Sequence, residues 1–531
     1  MTTAFLILIA VIILASIWLN AISSRIGMPT LLAFMLLGML FANIGIWPVH
    51  FNSYVIAKEI CTVALVFIMF YGGFGTRWEA VKPVVRESAL LASVGVLMTS
   101  GLTGLFCHFV FGWGWLESLL FGSVLGSTDA ASVFSILRSK RLGLKNNTAP
   151  MIEMESGSND PAAYMCTAIM LSVINGTATG GTIAWNIFAQ IVFGAGCGVG
   201  IAKLASIAFR RISFTTDGFD SLFIFAIAIA SYAVPSLIGG NGYLSAYLVG
   251  IILGNEDFKN KRSLVSFFDG ITGLMQILIF FLLGMLARPA LLYKAVLPAL
   301  AIFAFMLFVA RPVAVFSVLT PFRKYPFKQQ AFISFVGLRG AASIVFAIMA
   351  MVNLAFVAND GFNIVFVIVL LSIAVQGSLI PWTAKKLDVI DDKANVMKTF
   401  NDYTENTGLN FGRITIEADS DWVGRAIRDL DLPKSILVAM ILRDGQRIQP
   451  HGDTVLLAGD EIITLTRGYS DGAAFLYEKT IKVSSRRVGR PLSEYPGKGL
   501  IVLIRRGEEN IIPSGDTILQ AGDRIVILYL N

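Results

Sequence analysis

Residues 115–137 read WLESLLFGSVLGSTDAASVFSIL, and the class of the protein is clearest here. It is apolar and long enough to cross a bilayer, yet the small and polar residues 126–129 interrupt it. A second apolar run, 329–352, is interrupted in the same way at 336–340. Broken helices at membrane depth leave backbone groups unpaired, which is tolerated only where those groups line a polar cavity or binding site. The pattern is therefore typical of a transporter.

Apolar stretches of similar length recur along the first three quarters of the chain. Each suits a membrane helix of roughly 17–25 residues. They lie at 4–20, 28–47, 57–75, 88–111, 115–137, 157–175, 183–208, 219–237, 241–254, 264–287, 291–312, 329–352 and 361–383. We therefore predict a polytopic all-α membrane protein with about thirteen spans.

The composition of the whole chain supports this class. Of its 531 residues, 55% are hydrophobic and only 15% are charged, whereas a soluble protein carries about a quarter charged residues. The net charge of +7 does not indicate nucleic-acid binding, because the basic residues lie between apolar segments. The cysteines lie inside apolar segments without metal-ligand spacing, which argues against a disulfide framework and a zinc site; they are Cys61, Cys107, Cys166 and Cys197.

Basic residues in alternate connections predict the orientation in the membrane. By the positive-inside rule they face the cytoplasm. The amino terminus therefore lies outside the cytoplasmic membrane, and the tail lies in the cytoplasm. The first apolar run lacks a basic leader and a cleavage site, and we interpret it as a retained helix. The basic connections contain Arg25; Arg77, Lys82 and Arg86; Arg138, Lys140, Arg141 and Lys145; Arg210 and Arg211; Lys259, Lys261 and Arg262; and Arg323, Lys324 and Lys328.

The pattern changes after Lys385 to short β-branched runs separated by Asp-Gly and Gly-Asp turns. Runs 436–442 and 461–466 are typical of strands, so this region is a soluble α+β tail. The predicted domain boundaries are 1–388 for the membrane domain, 389–408 for a linker, and 409–470 and 471–531 for two tail domains.

The two tail domains follow from an internal duplication. Residues 450–454 (PHGDT) and 458–461 (AGDE) recur as 513–517 (PSGDT) and 521–524 (AGDR). Two copies of a fold of about 60 residues are expected. Each Gly-Asp pair most simply forms a tight turn between strands, and the tail lacks the glycine fingerprint of a Rossmann unit.

Ionisable side chains are rare inside the predicted spans. Each costs several kcal/mol in hydrocarbon, so each is a functional hypothesis by default. They are Asp129, Glu155, Asp160, Arg311 and Arg339, with Glu153 and Asp269 nearer to predicted span ends.

Asp160 is the strongest candidate for an ion site. It follows Ser156 and Asn159 in the stretch 155–161, which offers hard oxygen ligands for an alkali cation. The same carboxylate can hold a proton, so the cation and the proton compete, and competition with alternating access gives exchange. The alternative is that Asp160 hydrogen-bonds or caps a broken helix just before Pro161.

Asp129 and Thr128 lie in the interrupted run 126–129. If this segment crosses a second broken segment at 155–161, Thr128, Asp129, Asn159 and Asp160 come together near mid-membrane. The alternative for Asp129 is an N-cap of a half-helix that begins at Ala130, because Asp is a preferred N-cap residue.

Glu155 lies five residues before Asp160, which is about 500° around a helix and so roughly 140° away from it. It therefore faces away from the ion. Since an unpaired buried charge is strongly destabilising, we expect Glu155 to pair with Arg311 or Arg339.

These residues lie in motifs that resemble those of the cation:proton antiporter-1 family, and most closely its bacterial NhaP-type potassium/proton antiporters. The resemblance covers about 5–385, with five motifs in the family order. They are Ser127–Phe134 (STDAASVF), Glu155–Pro161 (ESGSNDP), Gly239–Leu244 (GGNGYL), Phe268–Gly270 (FDG) and Gly337–Ala341 (GLRGA).

The resemblance implies an inverted-repeat homodimer in which a core bundle carries the ion and a second bundle dimerises. It implies that Asp160 is the alternately protonated carboxylate and that Asn159 replaces a second one, as in electroneutral members that exchange one cation for one proton. By the same resemblance, Thr128, Asp129 and Ser156 line the site, Glu155 and Arg311 form a structural ion pair, and Arg339 is a second core cation.

Two positions depart from the family pattern. Members often have an acidic residue where Tyr71 precedes Gly72, and a Pro where this chain has Ser343. The first departure weakens the case for a third carboxylate near the site. Neither departure affects the prediction that Asp160 binds the ion.

The tail resembles tandem RCK C-terminal domains of the TrkA-C type over most of 409–467 and 478–530. Such domains generally dimerise, and in some transporters they bind a cyclic dinucleotide or another small effector. The resemblance implies a regulatory tail.

Together these observations predict a secondary antiporter, not an enzyme, that exchanges K⁺ or Na⁺ for H⁺ and needs no cofactor. The monovalent cation is held at Asp160 and Asp129, and the partners are cations, protons, membrane lipid and a second copy of the chain. One alternative is a ligand-gated cation channel, although the sequence has no T-V-G-Y-G filter. Another is a sensor whose membrane part only anchors the tail.

Overall fold

The structure is a computed structural model that describes most of the membrane part and much of the tail. The described residues are 7, 10–19, 30–43, 53–140, 142–211, 218–256, 261–353, 360–391, 409–416, 420, 422–430, 436–443, 446–467, 474–481, 488–492, 500–506, 509–511, 513 and 517–530. The predicted linker from 392 onwards, the basic residues Arg25 and Lys259, and the Gly-Asp turn at 515–516 lie outside them.

The described membrane part is entirely helical apart from its connections and isolated bridges. Its helices are α1 Ala10–Leu19, α2 Thr30–Asn43, α3 Tyr54–Gly75, α4 Trp78–Phe111, α5 Trp115–Val124, α6 Ala130–Ser139, α7 Thr148–Ile174, α8 Gly180–Arg211, α9 Phe219–Leu237, α10 Gly242–Gly254, α11 Lys261–Leu286, α12 Pro289–Phe305 continuing through a π turn Met306–Ala310 into Arg311–Leu319, α13 Phe327–Phe335, α14 Ala341–Val352, and α15 Gly361–Lys386.

The interruptions lie where the sequence predicts them. Helices α5 and α6 flank residues 126–129, and α13 and α14 flank 336–340. Among the described helices, seven are long and apolar enough to cross a membrane alone, and five are shorter apolar helices. A helical membrane part is confirmed, while the count of thirteen crossings stays a prediction.

Glycines let several helices pack backbone against backbone. A Cβ atom on Gly73 of α3 would collide with the main-chain oxygen of Tyr247, and one on Gly250 of α10 with that of Phe70. Small residues at helix interfaces are how membrane helices approach closely. The close contact holds α10, which carries Tyr247, against α3.

The end of α15 is tied to the loop that joins α6 and α7. Leu144 and Ile390 form an isolated antiparallel bridge, and Lys145 Nζ lies 2.8 Å from a carboxylate oxygen of Asp388. The segment that follows the last helix is therefore held against the connection between α6 and α7.

The chain divides into two compact units, Met1–Tyr403 and Thr404–Asn531. The second contains two antiparallel sheets of four strands with the same topology. The first sheet has the order β1-β4-β2-β3, from β1 Leu409–Thr415, β2 Ile436–Arg443, β3 Gln446–Ile448 and β4 Glu461–Arg467. The second has the order β5-β8-β6-β7, from β5 Ala474–Thr480, β6 Leu500–Arg506, β7 Glu509–Ile511 and β8 Arg524–Leu530.

The repeated Gly-Asp pairs turn the chain and also hold each sheet. Gly459 has a φ of +89°, which glycine adopts at little cost. Asp460 then receives two hydrogen bonds from Arg443, each 2.8 Å long. Asp523 receives two from Arg506, each 2.9 Å long. The duplication predicted from sequence is thus repeated in three dimensions.

Replacing Asp460 with Asn should destabilise the first tail sheet by about 2 kcal/mol, because it weakens the two charge-assisted hydrogen bonds that the buried carboxylate receives from the partly exposed Arg443. The Asp460 side chain is 1% exposed. Hydrogen exchange of β2 and β4 in the full chain measures the loss. Asp453→Asn is the control, since Asp453 and its partner Arg428 are 79% and 66% exposed, and such pairs contribute about 1 kcal/mol or less.

The same pair predicts a direction for acid sensitivity. Hydrogen bonds from Arg443 hold the pKa of the Asp460 carboxyl below its usual range. A lowered pKa in the folded state means that the stabilisation is complete above the ordinary value of about 3.9 and is lost as the pH falls through the lower value. Equal hydrogen-exchange protection of β2 and β4 in wild type and Asp460→Asn at neutral pH would show that the pair of Asp460 and Arg443 does not stabilise the sheet.

Candidate ion-binding site

The two interrupted segments cross each other and are joined by hydrogen bonds. The backbone N–H of Asp129 donates to the Leu338 carbonyl at 2.8 Å. The Arg339 guanidinium donates to the Ser127 carbonyl at 2.6 Å, and its backbone N–H donates to the Ser372 hydroxyl at 2.9 Å. Groups released by the helix breaks therefore find partners, as buried backbone groups must.

The predicted crossing partner is wrong in one respect. Residues 155–161 belong to the continuous helix α7, which runs through Pro161, and the segment that crosses 126–129 is 336–340. Proline removes one N–H donor and so frees the carbonyl four residues earlier, that of Gly157, which membrane helices tolerate inside a packed bundle. Asn241, the N-cap of α10, donates its side-chain amide to the Pro161 carbonyl at 2.9 Å.

Asp129 acts as the N-cap of α6. Its carboxylate accepts from the Ser132 backbone N–H at 3.3 Å and from the Ser132 hydroxyl at 2.5 Å. The capping alternative raised from the sequence is therefore present in the structure. Both carboxylate oxygens take part in it, and the side chain remains partly exposed.

Thr128 is held by two residues of α7. The Ser156 hydroxyl donates to its carbonyl at 2.5 Å, and the Asn159 amide donates to its hydroxyl at 2.5 Å. Its backbone N–H donates to the Asn159 side-chain oxygen at 3.3 Å. Asn159 thus positions Thr128, and the hydroxyl of Ser156 joins α7 to the crossing.

Asp160 lies beside the crossing and is 6% exposed. The Ser127 hydroxyl donates a short hydrogen bond to one carboxylate oxygen. The Asp160 carboxylate can bind a proton, or, together with the oxygens of Ser127 and Thr128 that border the same cavity, a cation that has lost part of its hydration shell. Four of the five predicted ion-binding residues border one cavity of about 70 Å³; these are Thr128, Asp129, Ser156 and Asp160.

Glu155 faces away from this cavity and pairs with Arg311. The two side chains are 2% and 4% exposed, and Arg311 Nη2 lies 2.5 Å from Glu155 Oε1. Arg339, the other candidate partner, instead donates to the Ser127 carbonyl. Arg311 lies against Gly337 of the second interrupted segment, so the pair neutralises charge beside the crossing without bordering the ion cavity.

Two residues near the site escaped the sequence-based selection of ion-binding residues. Ser127 is the hydrogen-bond donor to Asp160, and only its place in the interrupted run signals it. Tyr71, at the position that is often acidic in the family, donates its hydroxyl to Asp269 at 3.3 Å. No periodicity within one helix reveals that contact, which joins α3 to α11.

A family model described as "Sodium/hydrogen exchanger, transmembrane" matches residues 8–386. The chain belongs to the sodium/hydrogen exchanger family. A second model, the TrkA-C domain, matches this exchanger twice in the tail, at 411–466 and 476–530. Both resemblances drawn from the motifs are thereby confirmed.

Relatives of this exchanger cover most of its length. It is 35% identical over 468 residues to the K(+)/H(+) antiporter NhaP of Alkalimonas amylolytica, covering 87% of this chain and 81% of the relative. It is 31% identical over 472 residues to the K(+)/H(+) antiporter NhaP2 of Shewanella oneidensis, with the same coverage. The sodium proton antiporter MjNhaP1 of Methanocaldococcus jannaschii has the same fold, with a TM-score of 0.60 and 22% identity over 70% of this chain and 99% of that chain.

The exchanger should tolerate no side chain at Gly340, at the crossing. A Cβ atom there would collide with the carboxylate of Asp129. We expect Gly340→Ala to displace Asp129, to cost about 1–3 kcal/mol of stability, and to slow exchange. The measurements are thermal unfolding in detergent and exchange in proteoliposomes.

Gly101→Ala is the matched control, because a Cβ atom at Gly101 meets nothing within 4 Å. Alanine is also the better helix former at this helical position. Equal stability and exchange in Gly340→Ala and Gly101→Ala would contradict the tight crossing.

Proposed function

We propose that this exchanger moves K⁺ or Na⁺ against H⁺ by letting the two ions alternate on Asp160. One observation carries the proposal: Asp160 is buried at the crossing, borders a cavity and accepts a hydrogen bond from the Ser127 hydroxyl. A buried carboxylate must be neutralised by a proton or by a cation. Since one carboxylate cannot hold both, loading one ion releases the other.

The chemistry of the site assigns different tasks to its residues. When a cation arrives, the Ser127 hydroxyl can turn and offer its oxygen, because a hydroxyl both donates and accepts. Asp129 caps α6 with its carboxylate, and Asn159 is neutral. Asp160 is then the carboxylate that changes charge, which favours exchange of one cation for one proton.

K⁺ is the first candidate ion. The relatives named above are K(+)/H(+) antiporters, whereas the structural neighbour is a sodium proton antiporter. Both ions prefer the same hard oxygen ligands and differ mainly in the cavity size they need. The fold alone does not separate them.

The test is exchange by the full chain in proteoliposomes. Vesicles are loaded with K⁺ or Na⁺, an internal dye follows pH, and a potential-sensitive dye follows charge movement. Cation-driven pH change without a membrane potential supports electroneutral antiport. Passive cation flux without proton movement would make the protein a channel and would overturn the proposal.

For the cellular arrangement we propose a homodimer in the lipid of the cytoplasmic membrane, with the amino terminus outside and the tail in the cytoplasm. The alternating basic connections support this orientation. Cysteine labelling of intact cells, at one position in the tail and one before α1, tests it. Labelling of the tail from outside would reverse the topology.

For the tail we propose binding of a small effector such as a cyclic dinucleotide, with no catalytic activity and no cofactor in the chain. Segment 387–391 is a route for regulation, because it pairs with the α6–α7 loop between Asp129 and Asp160. A panel of cyclic dinucleotides added to the full chain should raise thermal stability and change the exchange rate. No response to any of them would remove this ligand class.

A further inference from the structure

Glu153 is a buried carboxylate that the proposed mechanism does not use. It precedes Asp160 by seven residues of α7, or about 700°, so the two side chains leave the helix only about 20° apart and about 10 Å along its axis. Glu153 is 5% exposed. It borders the same cavity as Asp160, together with Gly72 and Gly157. The cavity therefore has a carboxylate at two levels.

Tyr247 of α10 lies between these two levels. A Cβ atom on Gly157, which stands between Glu153 and Asp160 in α7, would lie 2.6 Å from the Tyr247 hydroxyl oxygen. The phenol thus occupies the space left open by the glycine. Glu153 lies four residues before Gly157 and Asp160 three residues after it in α7, so the hydroxyl faces the part of the helix between the two carboxylates.

The hydrogen bonding of the Tyr247 hydroxyl is incomplete. The residue is 2% exposed, and within the described part of the chain the hydroxyl makes no hydrogen bond of normal geometry. The hydroxyls of Ser158 and Thr76 are also near it. A buried hydroxyl without a well-formed hydrogen bond is costly unless something else uses it.

We propose that Glu153 and the Tyr247 hydroxyl form a second station for the monovalent cation on its way to Asp160. The inference rests on the proposed function. A cation that enters the bundle loses hydration, which is expensive unless oxygen ligands replace the water. Glu153 supplies the charge at the first level, Tyr247 supplies an oxygen between the levels, and Gly157 leaves room for the Tyr247 phenol to lie against α7.

The station predicts a separation between cation affinity and maximal rate. Glu153→Gln keeps the shape of the side chain and removes its charge, so the KM for K⁺ should rise about tenfold, which corresponds to about 1.4 kcal/mol, with the maximal rate largely kept. Glu153→Asp should restore most of the affinity. Tyr247→Phe should raise the KM by about threefold without removing the ring.

The controls distinguish this inference from the function on which it rests. Tyr243→Phe changes a tyrosine of the same helix that is 1% exposed, and it should leave the KM for K⁺ unchanged. Asp160→Asn in the same vesicles tests the proposed function itself. Retained exchange in Asp160→Asn overturns the proposed function. Loss of exchange in Asp160→Asn, together with an unchanged KM for K⁺ in Glu153→Gln, overturns only the second station.

A purely structural role for Glu153 gives another outcome. Glu153→Gln would then lower thermal stability and the maximal rate, Glu153→Asp would not recover affinity, and Tyr247→Phe would match Tyr243→Phe. That result overturns the station. Should Glu153→Gln fail to fold, the KM values of Glu153→Asp and Tyr247→Phe decide, because an unchanged KM in both variants also overturns it.

Discussion

Asp160→Asn is expected to reduce cation-driven proton exchange to the level of protein-free vesicles. The amide has the shape of the carboxylate but neither binds a proton in this pH range nor neutralises an alkali cation. Since Asp160 is buried beside the helix crossing, no water-exposed group replaces it. Internal pH of proteoliposomes after a K⁺ or Na⁺ pulse measures the loss.

Two variants make the result specific. Asp160→Glu keeps the carboxylate and should retain partial exchange, while thermal stability of Asp160→Asn should equal or exceed that of wild type, because a buried charge is removed. Asp220→Asn replaces another buried aspartate, 5% exposed at the start of α9, and should keep exchange. Undiminished exchange in Asp160→Asn would exclude this carboxylate from transport.

The second large effect concerns the ion pair between Glu155 and Arg311. Arg311→Met leaves Glu155 charged and buried, so the protein should lose about 3–5 kcal/mol of stability. The double variant Glu155→Leu with Arg311→Met replaces the pair by apolar groups and should recover most of that loss. Thermal unfolding in detergent measures both.

An exposed pair in the same membrane part provides the control. Arg210 pairs with Glu256, and the Arg210 side chain is 69% exposed, so Arg210→Met should cost about 1 kcal/mol or less. If the double variant is no more stable than Arg311→Met, the two residues do not act as a pair. The double variant should also retain exchange if the pair is only structural.

The helices and the candidate charges could be predicted because their signals are local. An apolar run of about 20 residues has few alternatives to a membrane helix, and the glycine and polar residues at 126–129 and 336–340 break such runs by their own chemistry. A charge in such a run is equally visible, since desolvation makes it rare. The tail duplication was predictable because the turn residues of both copies remain in the sequence.

Local sequence patterns gave one wrong prediction, a helix break at Pro161, and could not identify contacts between distant helices. The Pro161 that suggests a broken helix lies within continuous α7, because neighbouring helices in a packed bundle let a membrane helix continue through a proline. Which arginine pairs with Glu155 also depends on packing, since Arg311 lies 156 residues away in the chain.

Sequence patterns were sufficient to predict a helical exchanger with two interrupted helices, a carboxylate at Asp160 within an apolar segment, and a duplicated regulatory tail. The folded structure was needed to show that 126–129 crosses 336–340, that Asn159 holds Thr128, and that Tyr247 lies over Gly157. The reason is the separation along the chain over which each effect acts. Helix propensity, turn chemistry and desolvation cost act on neighbouring residues, whereas these contacts join distant helices and exist only when all of them are packed together.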